Sequence, residues 1–183
     1  MKSFCRFLMK LWGWKAVNGV MPHKKAIILG VPHTSAWDFV IAYLYYTSVG
    51  GRVHILVKKE FFFWPLGFFM KKMGAVPIDR SKGATVIRQA IDEMNRHDVF
   101  HLAITPEGTR KKTTRWKPGF HAIAKATGAI VYPGFFDWGK KEIGWLESIE
   151  LSDDPKDDIN RIKAYYRTLD ITGKHKNKFT FDD

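Results

Sequence analysis

The chain has 183 residues, 45% hydrophobic and 26% charged, a balance that excludes intrinsic disorder and allows one domain with its own core. A single cysteine, Cys5, excludes an internal disulfide and any cysteine-paired metal site, so none is expected. The formal net charge of +12 points to an anionic partner, and 14 Phe and 7 Trp among the cations suit a lipid–water interface.

In chain order, residues 1–15 (MKSFCRFLMKLWGWK) predict an amphipathic helix. Phe4, Phe7, Leu8, Leu11 and Trp12 share a stripe, and Lys2, Arg6, Lys10 and Lys15 lie mostly elsewhere. Such a helix is either an interfacial anchor or a helix packed on the domain; periodicity does not separate lipid from core. Residues 25–31, 53–57, 75–78, 99–105 and 129–132 predict strands. Residues 35–47, 81–96, 119–127 and 155–169 predict helices, with Gly128 ending the third and Pro155 near the start of the fourth. The alternation implies an α/β fold: a single domain with a mostly parallel sheet flanked by helices. The expected organisation is an amphipathic N-terminal helix (1–18), a main domain (19–172) and a loose basic tail (173–183). No segment reaches the roughly 20 apolar residues that span a bilayer; the apolar run at 61–70 is broken by Pro65 and Gly67. Nor is a signal-peptide pattern visible at the start, so a cytoplasmic protein, free or on a membrane surface, is expected.

Ligands of open α/β sheets bind beyond the carboxyl ends of the strands. The residues that follow the predicted strands include His33 and Asp38, Lys58 and Lys59, Asp79 and Arg80, and Glu107, Gly108, Thr109 and Arg110. If the strands run parallel, these share a rim. Imidazole titrates near neutral pH, so His33 can act as general base, with Asp38 fixing its tautomer. Positions five apart on a helix stand about 140° apart, so His33 must precede the helix to reach Asp38. Arg80, Arg110, Lys58 and Lys59 suit a phosphate. Blander readings exist for each. Ser35 to Asp38 is capping-box-like, Pro-Glu-Gly-Thr makes an ordinary turn, the cations form a solvated face, and 61–70 is core under a loop.

Taken together the motifs resemble the glycerolipid acyltransferase superfamily, typified by 1-acylglycerol-3-phosphate acyltransferases. His33 to Asp38 matches its H-x-x-x-x-D block. Gly74-Ala75-Val76-Pro77-Ile78-Asp79-Arg80 resembles the second, Pro106-Glu107-Gly108-Thr109-Arg110 matches P-E-G-T-R, and Val131-Tyr132-Pro133-Gly134 resembles the fourth. The resemblance spans about residues 25–135. It departs from family habit at Pro32, where Asn often precedes the His, and at Thr105, where Phe often precedes P-E-G-T-R.

The resemblance implies an O-acyltransferase with His33 as base and Asp38 as its partner. Arg80 and Arg110 would bind the acceptor phosphate, while Glu107, Gly108 and Thr109 shape the acceptor pocket and Lys58 adds a substrate-binding cation. The donor would be acyl-CoA or acyl carrier protein as co-substrate, with no cofactor or metal. The acceptor would be an anionic lyso-lipid, glycerol-based or not, at the inner face of the cell membrane. Amides at a helix start are expected to hold the oxyanion. Nucleic acid is not an expected partner: no zinc-finger spacing or aromatic RNA-reading strand is present. A non-catalytic protein that binds anionic lipid or nucleic acid is the competing reading.

Overall fold

The computed structural model describes residues 1–79 and 83–180, and of residues 83 and 84 the backbone alone. Its elements in chain order are α1 (Lys2–Leu11), β1 (Lys15–Ala16), β2 (Lys25–Val31), α2 (Trp37–Val49), β3 (Val53–Lys58), α3 (Leu66–Lys72), β4 (Ala75–Ile78), α4 (Gly83–Asn95), β5 (Phe100–Ile104), α5 (Gly119–Thr127), β6 (Ile130–Asp137), β7 (Glu142–Trp145) and α6 (Pro155–Arg167). The strands form one seven-stranded sheet in the order β1-β7-β6-β2-β5-β3-β4. From β6 across to β4 every pairing is parallel; β7 runs antiparallel to β6 and pairs in parallel with β1.

β2 lies at the centre because KAIILGV is apolar on both faces, as a strand covered by helices on both sides must be. Ile27, Leu29 and Val31 point to the layer of α4, α5 and α6, where they meet Ala90, Met94, Phe120, Ile123, Ile162 and Tyr166. Ala26 and Ile28 point the other way, toward Ile41, Leu44 and Tyr45 of α2 and Cys5 and Met9 of α1. Tyr166 ties the helical layer to the sheet: its buried hydroxyl donates to the carbonyls of Leu29 (3.0 Å) and Gly134 (2.8 Å) on adjacent strands.

Several features differ from the sequence-based expectation. First, β6 does not stop at Tyr132 but runs through Pro133 to Asp137. Pro cannot donate to a ladder and reads as a strand end, yet its carbonyl accepts from Leu146 N at 2.8 Å and pairing continues on both sides. Second, residues 61–70 are not core under a loop. A short 3-10 turn (Lys59–Phe61) leads to α3, with Pro65 at its N-cap, where no N–H is required, and Gly67 packed on the Phe62 backbone. Phe61, Phe63, Trp64, Leu66, Phe68 and Phe69 are all exposed. Third, the apolar stripe of α1 divides. Cys5 and Met9 are buried against α2, Leu8 is half-buried, and Phe4, Phe7 and Leu11 face outward. The helix therefore packs on the domain and still presents an apolar face. Among the described residues no helix is long and apolar enough to cross a membrane.

Candidate active site

The parallel run β6-β2-β5-β3-β4 brings the carboxyl ends of five strands to one rim. His33 leaves the end of β2 two residues beyond Val31 and precedes α2, as its reach to Asp38 requires. Its Nδ1–H donates to Asp38 Oδ2 at 3.1 Å. The same oxygen accepts the backbone N–H groups of Thr34 and Ser35, each at 2.9 Å. The carboxylate half of a capping box is thus present, and Asp38 both closes the helix start and orients the imidazole. The His33 side chain is 20% exposed and that of Asp38 1%, so substrate can reach the imidazole but not its partner. With Nδ1 committed, Nε2 is the nitrogen left to meet a substrate proton.

Glu107 follows β5 and comes to the same turn. Its Oε1 accepts the His33 backbone N–H at 2.8 Å, and the residue is buried. Burial, reinforced by the nearby negative charge of Asp38 and opposed by the His33 N–H, pushes its carboxyl up to about 8. A carboxyl raised that far favours its protonated form near neutral pH, which lessens the negative charge set against Asp38. Gly108 makes the next turn with φ +63, the left-handed region glycine favours, and a Cβ there would stand 2.9 Å from Lys117 Cδ. Gly108 N–H donates to Thr105 O at 3.0 Å, and Thr109 Oγ1 accepts from Lys111 N at 3.1 Å.

Those contacts form the turn that carries Arg110, which is exposed, as is Lys58 at the end of β3. Lys59 donates to Asp79 at 2.6 Å across β3 and β4, so that cation serves an ion pair at the rim. Arg80 lies outside the described residues.

Four backbone amides around the turn at the start of α2 are engaged. His33 N–H goes to Glu107, Thr34 and Ser35 N–H go to Asp38, and Trp37 N–H goes to Ser35 Oγ at 3.2 Å. A carboxylate two positions into a helix competes for the same donors that a bare helix start would offer.

Sequence reasoning missed one partner entirely. Trp138, just past β6, donates its indole N–H to Asp38 Oδ1 at 2.8 Å. The chain from 172 onward also closes on this turn. Gly173 is buried against Thr34, His175 N–H donates to Thr34 Oγ1 at 3.3 Å, and Lys174 Nζ stands 4.9 Å from the Trp37 ring and 4.6 Å from Trp138. Nothing in the spacing signals these contacts; they depend on β6 lying beside β2. A cleft of about 450 Å³ lined by Arg6, Met9, Lys10, Trp14 and Val49 opens at the far end of α2 from His33 and holds no candidate base.

A model of the family described as Acyltransferase matches residues 16–136. Among solved structures, the fold is that of the 1-acyl-sn-glycerophosphate (LPA) acyltransferase PlsC from Thermotoga maritima, with a TM-score of 0.62 at 16% identity over 95% of this chain and 80% of that one. The chain matches no curated protein. His33, Asp38 and Glu107 fall inside the matched segment; Trp138 and Lys174 fall beyond it.

Proposed function

The chain belongs to the acyltransferase family, and from that premise we propose that it moves a fatty acyl group from a thioester donor to a hydroxyl of a lysophospholipid-type acceptor, 1-acylglycerol-3-phosphate or a related lyso-lipid. The observation that carries this reading is the His33–Asp38 pair, bonded at 3.1 Å with the imidazole open to solvent and the carboxylate sealed.

In the proposed reaction His33 Nε2 takes the proton of the acceptor hydroxyl as its oxygen attacks the thioester carbonyl. The imidazolium that forms is stabilised by Asp38. The tetrahedral intermediate then collapses, the C–S bond breaks, and the departing thiolate takes the proton back from His33. No acyl-enzyme is needed, and Cys5, buried between α1 and α2, is no nucleophile here. The oxyanion has to be met by donors other than the four committed amides of the turn. Arg110 at the rim, with Arg80 from the second motif and Lys58, takes the acceptor phosphate; Glu107 holds the His33 backbone rather than the acceptor. The donor is acyl-CoA or acyl carrier protein, and the chemistry requires no metal or cofactor.

The reading places the enzyme on the inner face of the cell membrane. The exposed side of α1 ends at Trp12, whose ring meets Trp37 at 6.1 Å beside the catalytic turn. The exposed aromatics of residues 61–69 follow β3 on the same rim, flanked by Lys58, Lys71 and Lys72. Apolar rings with cationic flanks are the pattern of an interfacial surface that binds anionic lipid. Acyl transfer from labelled acyl-CoA and acyl carrier protein, on anionic vesicles carrying lysophosphatidate, lysophospholipids or amino-acid lyso-lipids in turn, tests the reading. Transfer to one class names the acceptor. Transfer to none, by folded protein bound to the vesicles, overturns it.

A further inference from the structure

We propose that Trp138 is a positioning residue of the reaction, the outermost member of a hydrogen-bonded chain Trp138–Asp38–His33; this rests on His33 acting as the base. Asp38 is a buried carboxylate, and such a group is tolerable only when its oxygens are satisfied. Oδ2 is shared among His33 Nδ1–H and two backbone amides. Oδ1 accepts from Trp138 Nε1. Without that indole Oδ1 is left buried without its donor, and a carboxylate that turns to find another loosens its hold on the imidazole.

The indole is itself held from several sides. Its backbone N–H donates to Thr172 O at 2.8 Å. Its ring stands edge-on to Trp14, 4.9 Å between centroids at 90°. Lys174 Nζ lies 4.6 Å from the same ring. The turn after it is tied down by Asp137 Oδ1, which accepts from Gly139 N–H at 2.9 Å and Lys140 N–H at 3.1 Å. A residue fixed by strand, ring packing and tail, with its one polar atom aimed at the catalytic carboxylate, is placed to fix that carboxylate's rotamer. Outer partners that orient metal ligands commonly matter by about 10- to 100-fold, and a donor that orients a catalytic carboxylate is expected to act on the same scale.

The test is a double-mutant cycle on acyl transfer. Trp138→Phe keeps a ring against Trp14 and Lys174 but removes the N–H. It should lower kcat by about 10- to 100-fold, the range of one charge-assisted hydrogen bond, with the KM for acceptor and donor unchanged. In an Asp38→Ala background the same substitution should cost nothing more, because there is no carboxylate left to position. Replacing Trp138 by benzothienylalanine, which swaps N–H for sulfur and keeps the bicyclic shape, gives the same loss if Phe disturbs folding. Equal losses from Trp138→Phe with and without Asp38, or full kcat in the benzothienyl protein, would overturn the proposal while His33 stands. Full activity in His33→Ala would instead remove the premise.

Discussion

Glu107→Gln takes a proton-binding group out of the site and leaves its shape. The native carboxyl is buried, and burial is the main cause that raises it from 4.5 to about 8. The folded protein therefore holds a proton that the unfolded chain releases, and stability falls as pH rises through the window from about 4.5 to about 8. At about 1.4 kcal/mol per tenfold change, the rise corresponds to ~5 kcal/mol across the full window. Gln at 107 presents a carbonyl oxygen that can still accept the His33 N–H but cannot titrate. Urea unfolding of both proteins at pH 5, 6, 7 and 8 isolates this group, because the other ionisable groups are common to both. The wild type should lose stability relative to the variant by several kcal/mol between pH 5 and 8. Parallel profiles would mean that Glu107 is ionised throughout, and the argument from burial would be wrong.

The other expectations follow from exposure and packing. Phe63→Ser, Trp64→Ser and Phe69→Ser remove rings that are 60%, 87% and 58% exposed, so the fold should persist. Each ring that enters lipid contributes about 1.5–3 kcal/mol, so the triple variant should bind anionic vesicles at least about 1000-fold more weakly. Unchanged sedimentation with vesicles would contradict an interfacial role. Tyr166→Phe deletes the donor shared by Leu29 O and Gly134 O and should cost about 1–3 kcal/mol in urea unfolding, with little effect on turnover. An unchanged unfolding midpoint would show that the hydroxyl does not join helix to sheet energetically.

The elements legible in the sequence were those whose local pattern and tertiary environment agree. KAIILGV is apolar throughout because it is covered on both faces, and β2 has the expected bounds. The third expected helix ends at Gly128, with φ +67 as its position requires. The illegible parts are those where tertiary pairing overrode a local signal. Pro133 looks like a strand end but sits in a strand paired on both sides. The two residues of β1 and the four of β7 are too short to show a period. At the site, H-x-x-x-x-D placed His33 and Asp38 correctly relative to each other because both lie on one turn. Trp138 lies 100 residues away from Asp38 in sequence and joins it only through the β6–β2 pairing. The capping reading of Asp38 and the reading that it holds His33 look like rivals in sequence, yet one carboxylate oxygen makes both sets of bonds.

The most direct test of the central claim compares wild type with His33→Ala in acyl transfer to the preferred lyso-lipid on anionic vesicles. Loss of the base should lower kcat by about 10²- to 10⁴-fold while vesicle and acceptor binding stay intact. Undiminished transfer by the folded variant would contradict the account, because the proton of the acceptor hydroxyl would then be leaving by another route.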